Sequence, residues 1–246
     1  MPMTTSPSPT PPAGDALPLP KPFRDPISPE EFREIATATP GRTILLLRHA
    51  QRPSIAKDDP TFGEHLGLTE AGEQAALDLG RRLRGLGPSA FAASPMRRTR
   101  ETARTVARGM ERHDALVHDA PEAGLGGLWI TDLAATHRQY AEEGSAAATD
   151  RYLRDGRFDG YRSVADGTRR MADWFATTDF GERHALVFSH DIFIAAFLQG
   201  LGVRQFDSAH WVGYLQGAAL AQDSDGSWSA FYCVPDKLNF TTAFFQ

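Results

Sequence analysis

Short apolar runs alternate with longer segments whose apolar residues recur every three or four positions, and no other feature of the chain limits its fold so much. Residues 43–47 form an unbroken apolar run behind Pro40-Gly41, the pattern of a strand buried on both faces of a parallel sheet. Leu68, Ala71, Ala75, Leu79, Leu83 and Leu86 follow at helical spacing, with Thr69 as N-cap, and predict an amphipathic helix. A second strand is expected at 90–93, a helix from Ser94-Pro95 to about Met110, and a third strand at 115–117. Residues 163–177 read as a helix, 184–189 as another buried strand, and 192–201 as a helix apolar almost all round. Residues 217–222 and 228–234 flank Asp223-Ser-Asp-Gly-Ser, a hairpin turn. Strand, helix and strand in alternation predict an α/β three-layer sandwich with a mainly parallel central sheet flanked by helices.

Two segments depart from this pattern. The first 22 residues hold 8 of the 17 prolines. Proline lacks the backbone N–H, and the segment has little apolar surface to bury, so residues 1–27 are expected to be a disordered tail. It has neither the basic start nor the apolar stretch of a signal peptide. The domain then runs over 28–246, opened by Ser28-Pro29-Glu30-Glu31, a capping box with proline at the first helical position. Residues 124–166 are too long for a simple connection and are expected to form a lid or substrate-recognition insert.

Composition excludes several function classes. A net charge of −5 argues against nucleic acid as the partner, and no apolar run is long enough to span a membrane. A single cysteine, Cys233, rules out an intrachain disulfide and any cysteine-rich metal site, and fits the cytoplasm. No Walker-type loop follows a strand.

In an open α/β sheet the ligand sits beyond the carboxyl ends of the strands. Strand one ends in Arg48-His49, with Arg52 just beyond. The second ends at Ser94, followed by Arg97 and Arg98, and the late strand ends in Ser189-His190-Asp191. Arginine offers a donor fork matched to phosphate oxygens, and helix N-termini add backbone donors. A neutral imidazole is a nucleophile at neutral pH, and a second one, protonated, can hold a phosphate oxygen. The inventory suits a phosphate dianion.

Leu45-Leu-Leu-Arg48-His49-Ala50, Leu68-Thr-Glu-Ala-Gly72, Ser94-Pro-Met-Arg-Arg98-Thr-Arg-Glu-Thr102-Ala103 and Val187-Phe-Ser-His190 together resemble the histidine phosphatase superfamily, also called phosphoglycerate mutase-like. The motifs occur in the family's order from about residue 43 to 200. The resemblance implies that His49 is transiently phosphorylated and that Arg48, Arg98 and His190 form the phosphate pocket, joined by Arg52. Arg52 and His190-Asp191 are similar to the acid-phosphatase branch, whose signatures are RHGxRxP and HD. Two carboxylates compete as the acid that protonates the leaving group: Asp191, the favoured one, and Glu122, after the third strand as in mutase-type members. The implied activity is metal-independent hydrolysis of a small phosphomonoester without a cofactor. A mutase on the same scaffold and a catalytically silent phosphate-binding module are the alternatives. The remaining histidines, His65, His113, His118, His137, His184 and His210, lack ligand spacing and are expected on the surface or in loops.

Overall fold

The apolar run after Gly41 is strand β1 (Thr43–Arg48), every residue of it buried. The computed structural model describes residues 25–56, 59, 61, 63–125 and 127–236; the Pro-rich segment up to residue 24 lies outside them. In chain order the elements are α1 (Pro29–Ala38), β1, α2 (Glu70–Arg82), β2 (Ser89–Ala93), α3 (Arg97–Gly109), β3 (Val117–Asp119), α4 (Leu133–Glu143), α5 (Ser145–Asp155), α6 (Val164–Thr177), β4 (His184–Ser189), α7 (Asp191–Gly200), β5 (Gly217–Gln222) and β6 (Trp228–Cys233). A short 3-10 turn, Pro121–Ala123, follows β3.

The strands form one sheet in the order β3-β2-β4-β1-β5-β6. β1, β2, β3 and β4 are mutually parallel, and β5 and β6 add an antiparallel hairpin at one edge. Alternate residues of each strand serve opposite faces. Leu45, Leu47, Phe91, Leu186 and Phe188 meet α1, α2 and α3 through Phe32, Leu79 and Val106. Ile44, Leu46, Ala185 and Val187 meet α6 and α7 through Met171, Phe175, Phe193 and Phe197. Helices on both faces of a mainly parallel sheet make the three-layer sandwich that the alternation predicts.

Capping fixes where α1 and α2 begin. Ser28 and Glu31 form a reciprocal capping box, and Thr69 Oγ1 accepts from Gly72 N. Ile27 is buried and pairs with the end of β6: its N–H donates to Tyr232 O at 2.8 Å. β3 falls at 117–119, shifted two residues along from the apolar Ala115-Leu-Val run and sharing only Val117 with it. As an edge strand it is set by its pairing with β2 (Phe91 opposite Val117), while Leu116 stays exposed. His184 is not a surface residue. It opens β4, is buried, and bonds Thr43 Oγ1 through Nδ1 at 2.8 Å, at the sheet edge opposite the carboxyl ends of β1 and β4.

Between Gly124 and Asp166 the chain builds α4 and α5 and an isolated bridge, Ile130 to Tyr161. Trp129 and Tyr152 are core residues of this region. Tyr140, Tyr152, Phe158 and Tyr161 pack ring against ring and reach Phe193 of α7. Among the described residues no helix is long and apolar enough to cross a membrane.

Candidate active site

Sheet register brings three strand ends level. Arg48 of β1 lies opposite Ser189 of β4, and Ala93 of β2 opposite Phe188, so His49, Ser94 and His190 leave the sheet side by side. α3 and α7 start immediately after β2 and β4, so their positive N-terminal ends face this edge.

The sequence motifs are the braces of this edge. Thr69 N donates to Gln51 O at 3.0 Å, and Gly72 packs directly on the Gln51 backbone, so α2 supports the turn after His49. Thr102 Oγ1 accepts from Ala50 N at 3.0 Å. Glu101 accepts from Leu68 N and pairs with Arg97, which ties α3 to the segment entering α2.

His49 is buried, and its Nδ1 lies 2.8 Å from Ala50 O. A carbonyl only accepts, so Nδ1 carries the proton and the Nε2 lone pair is left for reaction. Burial, then Arg98, Arg48 and His190, hold its pKa well below 6.5. The ring is therefore neutral at pH 7. His190 stands 5.6 Å from it, ring centre to ring centre. Its Nε2 is 2.8 Å from Ser94 Oγ, which in turn is 3.0 Å from Thr99 Oγ1. Its Nδ1 faces Arg98 Nη2 at 3.5 Å, and because guanidinium only donates, Nδ1 is the acceptor. The proton then sits on Nε2 and passes its hydrogen bond to Ser94 and on to Thr99. Burial and Arg98 hold this ring well below 6.5 too, against the pull of Asp191.

Three arginines converge. Arg48 donates through Nη1 to Val212 O at 2.6 Å and through Nη2 to Asp191 Oδ2 at 2.9 Å, and its buried Nε has no hydrogen-bond partner among the described residues. Arg98, in the first turn of α3, donates to Gly63 O at 2.8 Å. Burial, then Arg52, brings its pKa down to about 10. Arg52 donates to Pro53 O, and its pKa is lowered by burial and by Arg48. Three guanidiniums against one carboxylate leave two positive charges, the complement of a phosphate dianion. Arg97 is turned away and pairs with Glu101.

The two carboxylates differ. Asp191, first residue of α7, accepts from Ile192 N and pairs with Arg48. Burial works to raise its pKa, but Arg48 and the Trp211 indole outweigh it and hold the pKa below 3.8. In the free protein Asp191 is thus an ionised acceptor with no proton to give. Glu122 lies on the 3-10 turn, half-buried, with no ion pair or hydrogen bond from its carboxylate among the described residues. That turn packs on the site: Ser189 Oγ donates to Ala123 O at 2.7 Å, and a Cβ on Gly124 would lie 3.2 Å from Ser94 Cβ.

The structure thus brings together Arg48, His49, Arg52, Arg98, His190 and Asp191, with Glu122 on an adjoining turn. Sequence reading missed Tyr214, whose ring lies 4.2 Å from Arg48 Cζ and 5.8 Å from the His49 ring. A lone tyrosine in a loop carries no signal that would single it out. Ser94 is in the motif, but its bond to His190 is a tertiary fact. Among the described residues no group of three His, Cys, Asp or Glu side chains could hold a metal ion.

A family model described as "Histidine phosphatase superfamily (branch 1)" matches residues 44–221. No curated protein matches the sequence. Among solved structures, phosphoserine phosphatase from Entamoeba histolytica in complex with phosphoserine is similar at 16% identity, over 80% of this chain and 98% of that one, with a TM-score of 0.54. Phosphoglycerate mutase from Bacillus anthracis is similar at 15% identity, over 82% and 96%, with a TM-score of 0.53. At such identities the likeness is one of fold.

Proposed function

The chain belongs to the histidine phosphatase superfamily (branch 1), and from that membership we propose that it hydrolyses a small phosphomonoester through a phosphohistidine on His49. One observation carries the reading: Nδ1 of His49 is tied to the Ala50 carbonyl, which leaves an unprotonated Nε2 beside Arg48 and Arg98. Nε2 attacks phosphorus in line and forms the N–P bond as the ester P–O bond breaks on the opposite side. Arg48, Arg52 and Arg98 hold the equatorial oxygens as charge redistributes, joined by His190 once the bound dianion raises its pKa and Nδ1 takes up a proton to donate. The departing alkoxide takes a proton from a carboxylic acid. That group, now a carboxylate, accepts a proton from the water that attacks phosphorus, which releases inorganic phosphate and frees His49. The arginines supply the charge that a divalent ion supplies in other phosphatases.

Of the two carboxylates, we assign the acid role to Glu122. Arg48 holds Asp191 as an ionised acceptor, whereas the turn that carries Glu122 packs on Ser94 and Ser189 and leaves its carboxylate uncommitted among the described residues. Asp191 then serves to anchor Arg48.

The test is a trapped intermediate. Labelled substrate, quenched without acid, should leave an acid-labile, base-stable phosphoryl group on the peptide containing His49, and EDTA should not reduce turnover. A folded His49→Ala protein that keeps substantial turnover refutes the mechanism. Glu122→Gln should slow alkyl phosphates far more than para-nitrophenyl phosphate, whose leaving group needs no proton; if Asp191→Asn does so instead, the acid is Asp191. Release of inorganic phosphate, rather than transfer to a second substrate molecule, separates hydrolase from mutase.

A further inference from the structure

The loop between α7 and β5 supplies none of the histidines or arginines, yet it lies across Arg48. Arg48 Nη1 donates to Val212 O, Arg48 N donates to Gln216 O at 2.9 Å, and Leu215 N donates to Arg48 O at 3.2 Å. Gln216 is pinned in turn, its Oε1 accepting from Gly213 N and from the Tyr232 hydroxyl. Between these anchors Leu215 adopts φ +59, a left-handed conformation that a leucine rarely takes. Such backbone persists only where the surroundings over-determine it, and it is common at functional sites. Its effect here is to bury Leu215 and to turn Tyr214 toward the arginines. The Tyr214 ring lies 4.2 Å from Arg48 Cζ, whereas Arg42 on Trp228, Arg151 on Phe158, and Arg204 on Phe206 and Tyr232 stand off at 5.3–6.0 Å.

We propose that Tyr214 is a positioning residue of the phosphate pocket: its ring is a shelf that fixes the Arg48 guanidinium plane beside His49. The proposal rests on the phosphatase reading. The reason for an aromatic ring lies in the donor count. Guanidinium has five N–H groups, all in its plane. Val212 O takes one and Asp191 takes one, and the buried Nε has no partner among the described residues. Those two acceptors fix one edge of the plane but leave it free to tilt. A carboxylate or amide on the open side would stop the tilt by consuming the remaining donors. A ring face stops it by cation–π attraction from above the plane and consumes none. Tyr214 thus steadies Arg48 and leaves three N–H groups for phosphate oxygens. Its closeness to His49, 5.8 Å between ring centres, also keeps the nucleophile against the pocket wall.

The full chain is compared as wild type, Tyr214→Phe and Tyr214→Leu by thermal unfolding, by kcat and KM for para-nitrophenyl phosphate, and by NMR of the Arg48 Nε–H during titration with inorganic phosphate. Tyr214→Phe keeps the ring and should remain within about twofold of wild type in every readout. Tyr214→Leu fills similar volume without a π face. It should melt like wild type but lose about tenfold in phosphate affinity and in kcat/KM, the scale of a desolvated cation–π contact. The Arg48 Nε–H signal, displaced by ring current in wild type and Tyr214→Phe, should shift in Tyr214→Leu. Wild-type phosphate affinity in Tyr214→Leu overturns the proposal, and so does a Tyr214→Phe protein as impaired as Tyr214→Leu, which would assign the role to the hydroxyl. A wild type that binds phosphate but hydrolyses no ester sinks the phosphatase reading alone, because the binding and NMR arms still judge Tyr214. A wild type that does not bind phosphate overturns both.

Discussion

Gly72 and Gly80 lie on the same helix and offer a matched pair of perturbations. A Cβ on Gly72 would sit 2.9 Å from both C and N of Gln51 and closer still to its carbonyl oxygen. A Cβ on Gly80 would sit 2.7 Å from Gly109 Cα and closer still to Val106 O. Both positions are helical, so alanine gains about 1 kcal/mol of helix propensity at each. Both clashes are with backbone, which cannot rotate aside, so the overpacking cost falls near the upper end of the usual range, about 3 kcal/mol. The net loss of stability should be about 2 kcal/mol for either variant. Their effects on turnover should differ. Relief at Gly72 moves the turn after His49 by roughly 1 Å if carbon contacts are to regain about 3.5 Å. That turn carries the carbonyl that sets the His49 tautomer, and a 1 Å misplacement of reacting groups costs about 100-fold in rate. Relief at Gly80 moves the far end of α3, eleven residues from Arg98, about 16 Å along the helix. Urea unfolding and kcat for para-nitrophenyl phosphate would be measured on both. Equal losses of stability with a 100-fold fall in kcat only for Gly72→Ala are expected. Wild-type kcat in Gly72→Ala, or an equal kcat loss in Gly80→Ala, would refute the claim that this glycine serves the nucleophile's turn.

Arg98→Ala should lower kcat/KM by about 2–4 kcal/mol of transition-state stabilisation, the scale of removing one preorganised donor, read by steady-state kinetics. Phosphate binding should take up a proton: burial and Arg98 depress His190, the dianion neutralises Arg98, and His190 rises toward its ordinary pKa, so calorimetry in buffers of different ionisation enthalpy near pH 6.5 would read the uptake. Glu30, bound at both oxygens by Arg82 at 2.5 and 2.6 Å, has a pKa of about 2. Its folded pKa is depressed, so its contribution is complete above the unfolded pKa near 4.5 and is lost as pH falls through about 2. At this partly exposed pair the contribution is about 1 kcal/mol, so Glu30→Gln should lose that much in urea unfolding at pH 7 and clearly less at pH 2.

Elements whose signal is local were legible. β1 and β4 are buried on both faces and read as apolar runs, while α1 and α2 carry their own caps. The edge strand β3 read two residues early because its apolar residues are not the ones its partner selects. The helix after β2 starts at Arg97 rather than at Ser94, because the Ser94 hydroxyl faces His190 and Thr99 instead of capping. His184 carries no local signal because its partner Thr43 is 141 residues away in the chain. The same holds within the site. The residue types could be read, but the ionisation of Asp191 depends on Arg48, which only the β1–β4 register brings beside it. Tyr214 depends on the backbone of Leu215, which is imposed by hydrogen bonds to β1.

The electrostatics of the arginine group separate a binding site from a structural ion network. Many arginines elsewhere are matched by carboxylates: Arg82 by Glu30, Arg97 by Glu101, Arg100 by Asp119, Arg108 by Glu73, Arg151 by Glu143. Such pairs lie near the surface and neutralise one another. Arg48, Arg52 and Arg98 are drawn inward, share one carboxylate, and satisfy other donors with the neutral carbonyls of Val212, Pro53 and Gly63. A carbonyl satisfies a hydrogen bond but cancels no charge, so the excess remains and adds to burial in depressing the pKa of Arg98 and of both histidines. Burying like charges costs folding stability, and nothing in the packing demands it. In the proposed reaction burial and this excess together keep His49 unprotonated, hence nucleophilic, and leave the charge that a phosphate dianion neutralises. In water a cation strong enough to bind phosphate would be screened from a histidine beside it. In the proposed mechanism Arg48 and Arg98, within this buried edge, both attract the substrate and help burial keep its attacker free of a proton.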